Sequence, residues 1–431
     1  VGTRIACVAD LIREGRMDTR GIGRRIAYWR GRRNLTQTDF GALMGQSRRW
    51  VQDLEGGQRQ QDPRLSVVER AAQVLRVPLE LLLSDEAVGG GACADAEEIE
   101  AIREVLQRHD VITGTCADDG REPLPVEVLR RNLAYGRAAF QSGHFASLGR
   151  LVPELLADAN LAAARYEGSE QLAAYGVLSL SLELAEAVAV KYGDGALAWL
   201  AGHQAVAAAE RSGAPVLMAS AARHLADAMT HHGQARAAAA FAVAAAGRLE
   251  AELLVRGPDG LSVLGMLYLK AAMALAAAGE SADRDSASAA VAVPSLLDQA
   301  DELAAQLGND GNAVWTAFGP TNVRLYRVAA HVRLSQGAEA VAVAHGIPGP
   351  ARAALPRERR AHHLADLARG YTQAGRREEA VNTLLEAEQE APEEVRCRPL
   401  SHALVEDLRL LGAGAAEGRL RALAGRCGLP E

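Results

Sequence analysis

The stretch LTQTDFGALMGQSRRWVQDLEGG at residues 35–57 places two arginines, Arg48 and Arg49, at the start of a short helical segment, with Gln52 one turn later. A guanidinium fork matches the O6/N7 acceptor pair of guanine, so these residue types suit the reading of base edges. Other chemistries find little support. The sequence has no phosphate-binding loop, no GxSxG and no HExxH, and neither enzyme activity nor a cofactor is expected. His231-His232 and His362-His363 are adjacent pairs whose two rings cannot face together on a helix, so no metal site is expected there. The five cysteines (Cys7, Cys93, Cys116, Cys397 and Cys427) are far apart and odd in number, which points to reduced thiols in a cytoplasm.

The elements that must position these side chains can be read from local signals. Ile22, Ile26 and Trp29 share one helical face. Thr36, with Asp39 three residues on, forms a capping-box-like pair and predicts a helix running to Met44, with Gly45 supplying a left-handed turn. Ser47 is the next N-cap and opens Arg48–Glu55, which Gly56-Gly57 closes. Amphipathic segments at 67–75 and 79–83 bring the count to five short helices, with Phe40, Leu43, Val51, Leu54 and one face of Trp29 expected in a common core. Counting Gln37 as the first position, a small residue falls fifth (Gly41), a glycine ninth (Gly45), and apolar residues fifteenth and eighteenth (Val51, Leu54). A helix-turn-helix needs this pattern: close crossing, a sharp turn and two apolar anchors for the second helix.

Over roughly residues 22–83 the chain resembles the lambda-repressor-like (Cro-type, XRE) helix-turn-helix family. LTQTDFGALMGQS follows its Leu-Thr-Gln…Gly…Ser pattern, and DLEGG follows its closing Glu-Gly. The resemblance implies that the second helix enters the major groove, with Arg48, Arg49 and Gln52 toward base edges. It places Gln37 against the backbone phosphate and neighbouring side chains. Ser47, Arg24, Arg25, Arg32, Arg33 and Arg59 are expected at the DNA backbone, where contacts position a domain without specifying sequence. Glu55 is expected to brace the domain, and Trp50 and Asp53 are open between the groove and the first helix.

Charge agrees with this division. Residues 1–83 carry 15 Arg against 9 Asp and Glu, whereas the remainder carries 32 Lys and Arg against 45 acids, so a balance of +6 and one of −13 sum to −7. A basic N-terminal domain therefore sits on an acidic body. The expected organisation is an arm at 1–20, the DNA-binding domain at 21–83, a linker with one short helix (about 98–109) at 84–125, and a helical repeat domain at 126–431. The segment SDEAVGGGACADAEE at 84–98 has a linker composition.

From residue 126 onward the chain is rich in Ala and Leu and low in aromatics, which make up 4% of the whole, so an all-α fold is expected. Gly143, Gly193, Gly233, Gly279, Gly337 and Gly375 recur at irregular intervals near 40 residues, where helices would hand over to antiparallel partners. The unit at 362–392, HHLADLARGYTQAGRREEAVNTLLEAEQEAP, resembles a tetratricopeptide repeat, and 393–411 and 415–428 are expected as capping helices. Such an α-solenoid presents a concave surface. There the stretch WTAFGPTNVRLYR (315–327) offers Trp315, Phe318, Asn322 and Tyr326 as pocket residues, or else as a plug between repeats. No stretch approaches 18 uninterrupted apolar residues, and the opening VGTRIACVADLIREG has no long apolar core, so neither a membrane span nor secretion is expected.

The resemblance implies a cytoplasmic, nucleoid-associated, homodimeric transcriptional regulator of an actinobacterial type. It would bind a double-stranded DNA operator and respond to a peptide or small-molecule signal in its repeats. An alternative is a protein-interaction scaffold whose N-terminal domain is a docking or antitoxin-like module.

Overall fold

The computed structural model describes residues 22–32, 35–56, 63–75, 77, 79, 82, 96–108, 121–279 and 286–429. Every regular element among them is helical, with 21 α-helices, two short 3-10 turns and no strand. Two compact units divide the chain: Val1–Ala92 with Arg421–Glu431, and Cys93–Leu420.

The first unit holds α1 (Ile22–Arg32), α2 (Gln37–Met44), α3 (Arg48–Glu55) and α4 (Leu65–Leu75). Most of the expected fifth helix lies outside the described residues, although Leu82 is fully buried in the same core as Ile26, Phe40, Val51, Val68 and Leu75. The expected arm at 1–20 also lies outside them. Leu43 is a correction, because it is 51% exposed rather than core. Phe40 and Met44 occupy the inward stripe at i and i+4, and Leu43 lies about 100° round the helix from Met44.

The second unit starts earlier than expected. Helix α5 (Ala96–Gln107) packs on the body: Ile102 and Leu106 enter its core, and Gln204 donates through Nε2 to the Leu106 carbonyl at 3.0 Å. The body itself is built from six helix pairs. They are α6/α7 (Val126–Gln141, Phe145–Arg165), α8/α9 (Gly168–Lys191, Gly195–Ser212) and α10/α11 (Pro215–His231, Ala235–Leu254). The chain continues with α12/α13 (Gly257–Gly279, Ser286–Leu307) and α14/α15 (Pro320–Arg333, Gly337–His345). After the single turn α16 (Gly349–Ala353) comes α17/α18 (Arg357–Gln373, Arg377–Glu390). Four turns take the left-handed conformation at glycines read from the sequence, with φ of 81° at Gly143, 75° at Gly193, 85° at Gly233 and 74° at Gly375. Between α14 and α15 that role falls to Ser335 (φ 59°) instead. Gly337 is small for a different reason: a Cβ there would lie 2.5 Å from the Gly370 carbonyl oxygen, where α15 crosses α17.

The first helix of each pair packs on the first helix of the next, through α6, α8, α10, α12, α14 and α17. Helix α17 then returns to α6, closing the cycle. The seam is well made. The Ala146 amide donates to Glu393 Oε2 at 2.7 Å, and Lys191 Nζ reaches Glu394 Oε2 at 2.7 Å. The expected capping helix at 393–411 is split into α19 (Pro392–Arg396) and α20 (Pro399–Leu411), because Pro399 cannot continue α19. The last helix, α21, spans Glu417–Arg426.

Helices α8 and α12 are long and apolar enough to cross a membrane, but both are largely buried against their neighbours as core helices. Cys397 is disulfide-bonded, which corrects the expectation of reduced thiols throughout. Distance along the chain is no guide to which sulfurs meet in space.

Candidate nucleic-acid interface and ligand cavity

The turn between α2 and α3 is formed by local chemistry. Thr36 Oγ1 accepts from the Asp39 amide at 3.1 Å, and Asp39 returns a contact to the Thr36 amide at 3.2 Å. Gly45 closes α2 with φ 68° and ψ 31°, a conformation costly for residues bearing a Cβ. Ser47 caps α3 by accepting from the Trp50 amide at 3.2 Å. Gly41 has to be small, since a Cβ there would lie 2.9 Å from the Gln46 carbonyl oxygen and 3.3 Å from the Val51 side chain. Val51 and Leu54 anchor α3 inward, leaving Arg48, Arg49 and Gln52 exposed.

Glu55 is the brace. Its Oε1 accepts from Arg30 Nε at 2.5 Å, and its Oε2 accepts from Arg30 Nη2 at 3.0 Å and from Gln37 Nε2 at 2.9 Å. Gln37 is thus held in place by a charge-assisted network joining α1, α2 and α3. Trp29 and Trp50 both pack against the core, partly buried. Arg25 is a correction: it is 7% exposed and donates through Nε to the Leu82 carbonyl at 2.8 Å, so it ties the domain together and does not face phosphate. Arg33 and Arg59 lie outside the described residues, as do the side chains of Arg24 and Arg32.

In the body, the six first helices and the segment before α14 enclose a cavity of about 170 Å³. Three of the four expected pocket residues line it: Trp315, Asn322 and Tyr326. Phe318 does not. It is fully buried in the core, where a Cβ at Gly265 would lie 2.1 Å from its Cζ. The segment preceding α14 is strained, with Val314, Trp315 and Ala317 at φ of 49°, 53° and 50°. Asn312 Oδ1 holds it by accepting from the Ala317 amide at 3.1 Å and from Gln141 Nε2 at 3.0 Å.

The cavity wall is dense in charge. Arg137 donates to Glu183 Oε2 at 3.0 Å and lies over the Trp315 ring. Lys270 pairs with Asp227 at 2.7 Å. Lys191 bridges Glu358 and Glu394, and Arg398 reaches Glu394 Oε1 at 2.8 Å. Glu358, His362 and Glu394 bring three ligand-type atoms within 4.8 Å of one another, a grouping that adjacency in sequence concealed. Their carboxylates are already engaged by the Lys191 ammonium and the Arg398 guanidinium, so the cluster reads as an ion-pair network. Arg359 donates through Nε to Asn322 Oδ1 at 2.7 Å and lies over the Tyr326 ring at 4.6 Å.

Burial, with the Arg223 and Arg137 charges adding to it, pushes His224 well below the ordinary imidazole range. Burial, then Arg398 and Lys191, do the same to His362. Burial also pushes Glu186 well above the carboxylate range. Burial opposes the charge on Asp227, yet the Lys270 ammonium holds its carboxyl well below its usual value.

The use of basic residues, which by itself points to a GC-rich genome, also marks this cavity. Lys191 and Lys270 are the only lysines in a chain that otherwise uses arginine, and each is set in an apolar helix. Both line the cavity.

No curated protein matches the chain. Residues 22–83 match the family model described as a helix-turn-helix domain, the span over which the turn at Gly45 and the exposed arginines of α3 are built.

Proposed function

We propose that the protein is a sequence-specific DNA-binding transcriptional regulator, not an enzyme. In this reading it acts as a homodimer, and its tetratricopeptide-like helical body senses a small-molecule or peptide signal that changes operator affinity. The observation that carries it is the exposure of Arg48, Arg49 and Gln52 on a helix anchored by Val51 and Leu54, inside a segment matched as helix-turn-helix. The N-terminal end of a recognition helix is where side chains meet base edges. In this reading Ser47 and Gln37, held by the cap and by Glu55, contact the DNA backbone. Two such domains about one helical turn apart, roughly 34 Å, would double the phosphate contacts available to one small domain.

Selection of bound fragments from random duplex DNA by the full chain tests this reading. A paired, inverted half-site is expected. Arg48→Ala and Arg49→Ala should each relax one position of it, at about 1–3 kcal/mol for each lost bidentate contact. Recovery of fragments with no shared sequence would refute it.

A further inference from the structure

Arg223 on α10 is 5% exposed and lines the cavity, yet its Nε and Nη2 have no hydrogen-bond partner and it makes no ion pair among the described residues. Arg359 Nη2, on the same wall, is also buried without a partner. The other buried cations there are matched: Arg137 by Glu183, Lys270 by Asp227, Lys191 and Arg398 by Glu394. A guanidinium taken out of water without a counter-charge is costly, and an arginine fork fits carboxylate and phosphate groups bidentately. We propose that the cavity is the receptor site of a compact organic anion, whose carboxylate or phosphate group is held by Arg223 and Arg359. Glu186 Oε1 is also buried without a partner on the same wall, so the ligand also carries a hydroxyl group to hydrogen-bond there. Met266, Met273 and Val190 supply the apolar contacts for its carbon frame. A cavity of about 170 Å³ is close to one that holds a benzene-sized guest, so it admits a small metabolite or the end of a peptide, and not a whole folded segment.

This inference names the chemical class of the signal and rests on the sensing role proposed above. Binding is therefore measured on the full chain without DNA, so that its failure leaves the reading of α3 untouched. The probes are inorganic phosphate, 3-phosphoglycerate, malate, glutamate, and one tripeptide with a free or an amidated C-terminus. Thermal shift and calorimetry are expected to show saturable binding of at least one. A response to the small acids identifies a metabolite site, and a response to the free but not the amidated tripeptide identifies a peptide end. Arg223→Met should abolish the ligand-induced shift while its unliganded form melts no lower than wild type, because an unpaired buried charge has been removed. Arg223→Lys, which keeps the charge without the fork, should bind roughly 10- to 100-fold more weakly, the loss expected for a charge-assisted hydrogen bond. The proposal is overturned if no probe binds, if Arg223→Met binds as wild type does, or if Arg223→Met is destabilised or fails to fold.

Discussion

Removing the Glu55 carboxylate should loosen the reading domain locally, and the size of the effect follows from the network it anchors. Glu55 accepts two hydrogen bonds from Arg30 and one from Gln37, with side-chain exposures of 17% for Arg30 and 7% for Glu55. Fully exposed pairs contribute about 0–1 kcal/mol, whereas breaking a buried pair by deleting one partner costs about 3–5 kcal/mol. This pair is mostly covered but keeps Arg30 Nη1 on the Leu35 carbonyl, which softens the loss. Glu55→Ala should therefore cost about 2–3 kcal/mol, which speeds local amide exchange roughly 30- to 150-fold. Hydrogen exchange followed by mass spectrometry on the full chain resolves this, because peptides from α1–α3 should respond and those from α8–α18 should not. Glu55→Gln keeps an acceptor without the charge and should fall between wild type and Glu55→Ala. Unchanged exchange in α2 and α3, together with altered DNA affinity, would show that Glu55 faces DNA and that the bracing argument is wrong.

Three further outcomes follow from the packing and charge described. Gly265→Ala should destabilise the body by about 1–3 kcal/mol or more in denaturant unfolding, since the new Cβ would lie 2.1 Å from Phe318 Cζ, and Phe318→Leu in the same chain should recover part of the loss. His363 is buried with both ring nitrogens unbonded, and burial, then Arg359 and Arg352, push its pKa down to about 3. The unfolded ring takes a proton near pH 6.5 and the folded ring does not until about 3, so stability is full above that window and falls as pH drops through it, by about 1.4 kcal/mol per pH unit at most. His363→Leu should flatten that acid limb in unfolding measured from pH 7 to 5. Arg25→Met should weaken the domain but leave the slope of log K against log salt for DNA binding unchanged, because the side chain is turned to Leu82. If Arg25 met a phosphate, the slope would drop by about 0.9.

What could be read in the sequence was set by how far apart the interacting groups lie in it. The capping box at Thr36, the left-handed Gly45 and the cap at Ser47 are decided within a few residues, and all three formed as expected. Arg25 departs from expectation because its acceptor lies 57 residues away, and a cluster of arginines in sequence gives no hint of which one turns inward. Trp315 and Phe318 look alike as exposed-loop aromatics. The absence of a Cβ at Gly265 opens the core to Phe318, while positive φ at Val314 and Trp315 swings the indole to the cavity. The charged wall was hidden for the same reason, since Arg137, Lys191, Arg223 and Lys270 come from four different helices.

The return of α17 to α6 governs the order in which the protein can be made. In an open stack each repeat settles on the one before it, and a terminal repeat can be lost at local cost. Here the Ala146 amide waits for Glu393, 247 residues later, so closing that contact requires a long and entropically costly chain search. During synthesis the four helices around Gly45 have their partners at once, while the cavity gains its sixth wall only after α17 has emerged. If the function proposed above holds, a truncated or stalled chain would carry the helix-turn-helix core of residues 26–82 without a complete cavity, and would bind DNA without responding to a signal.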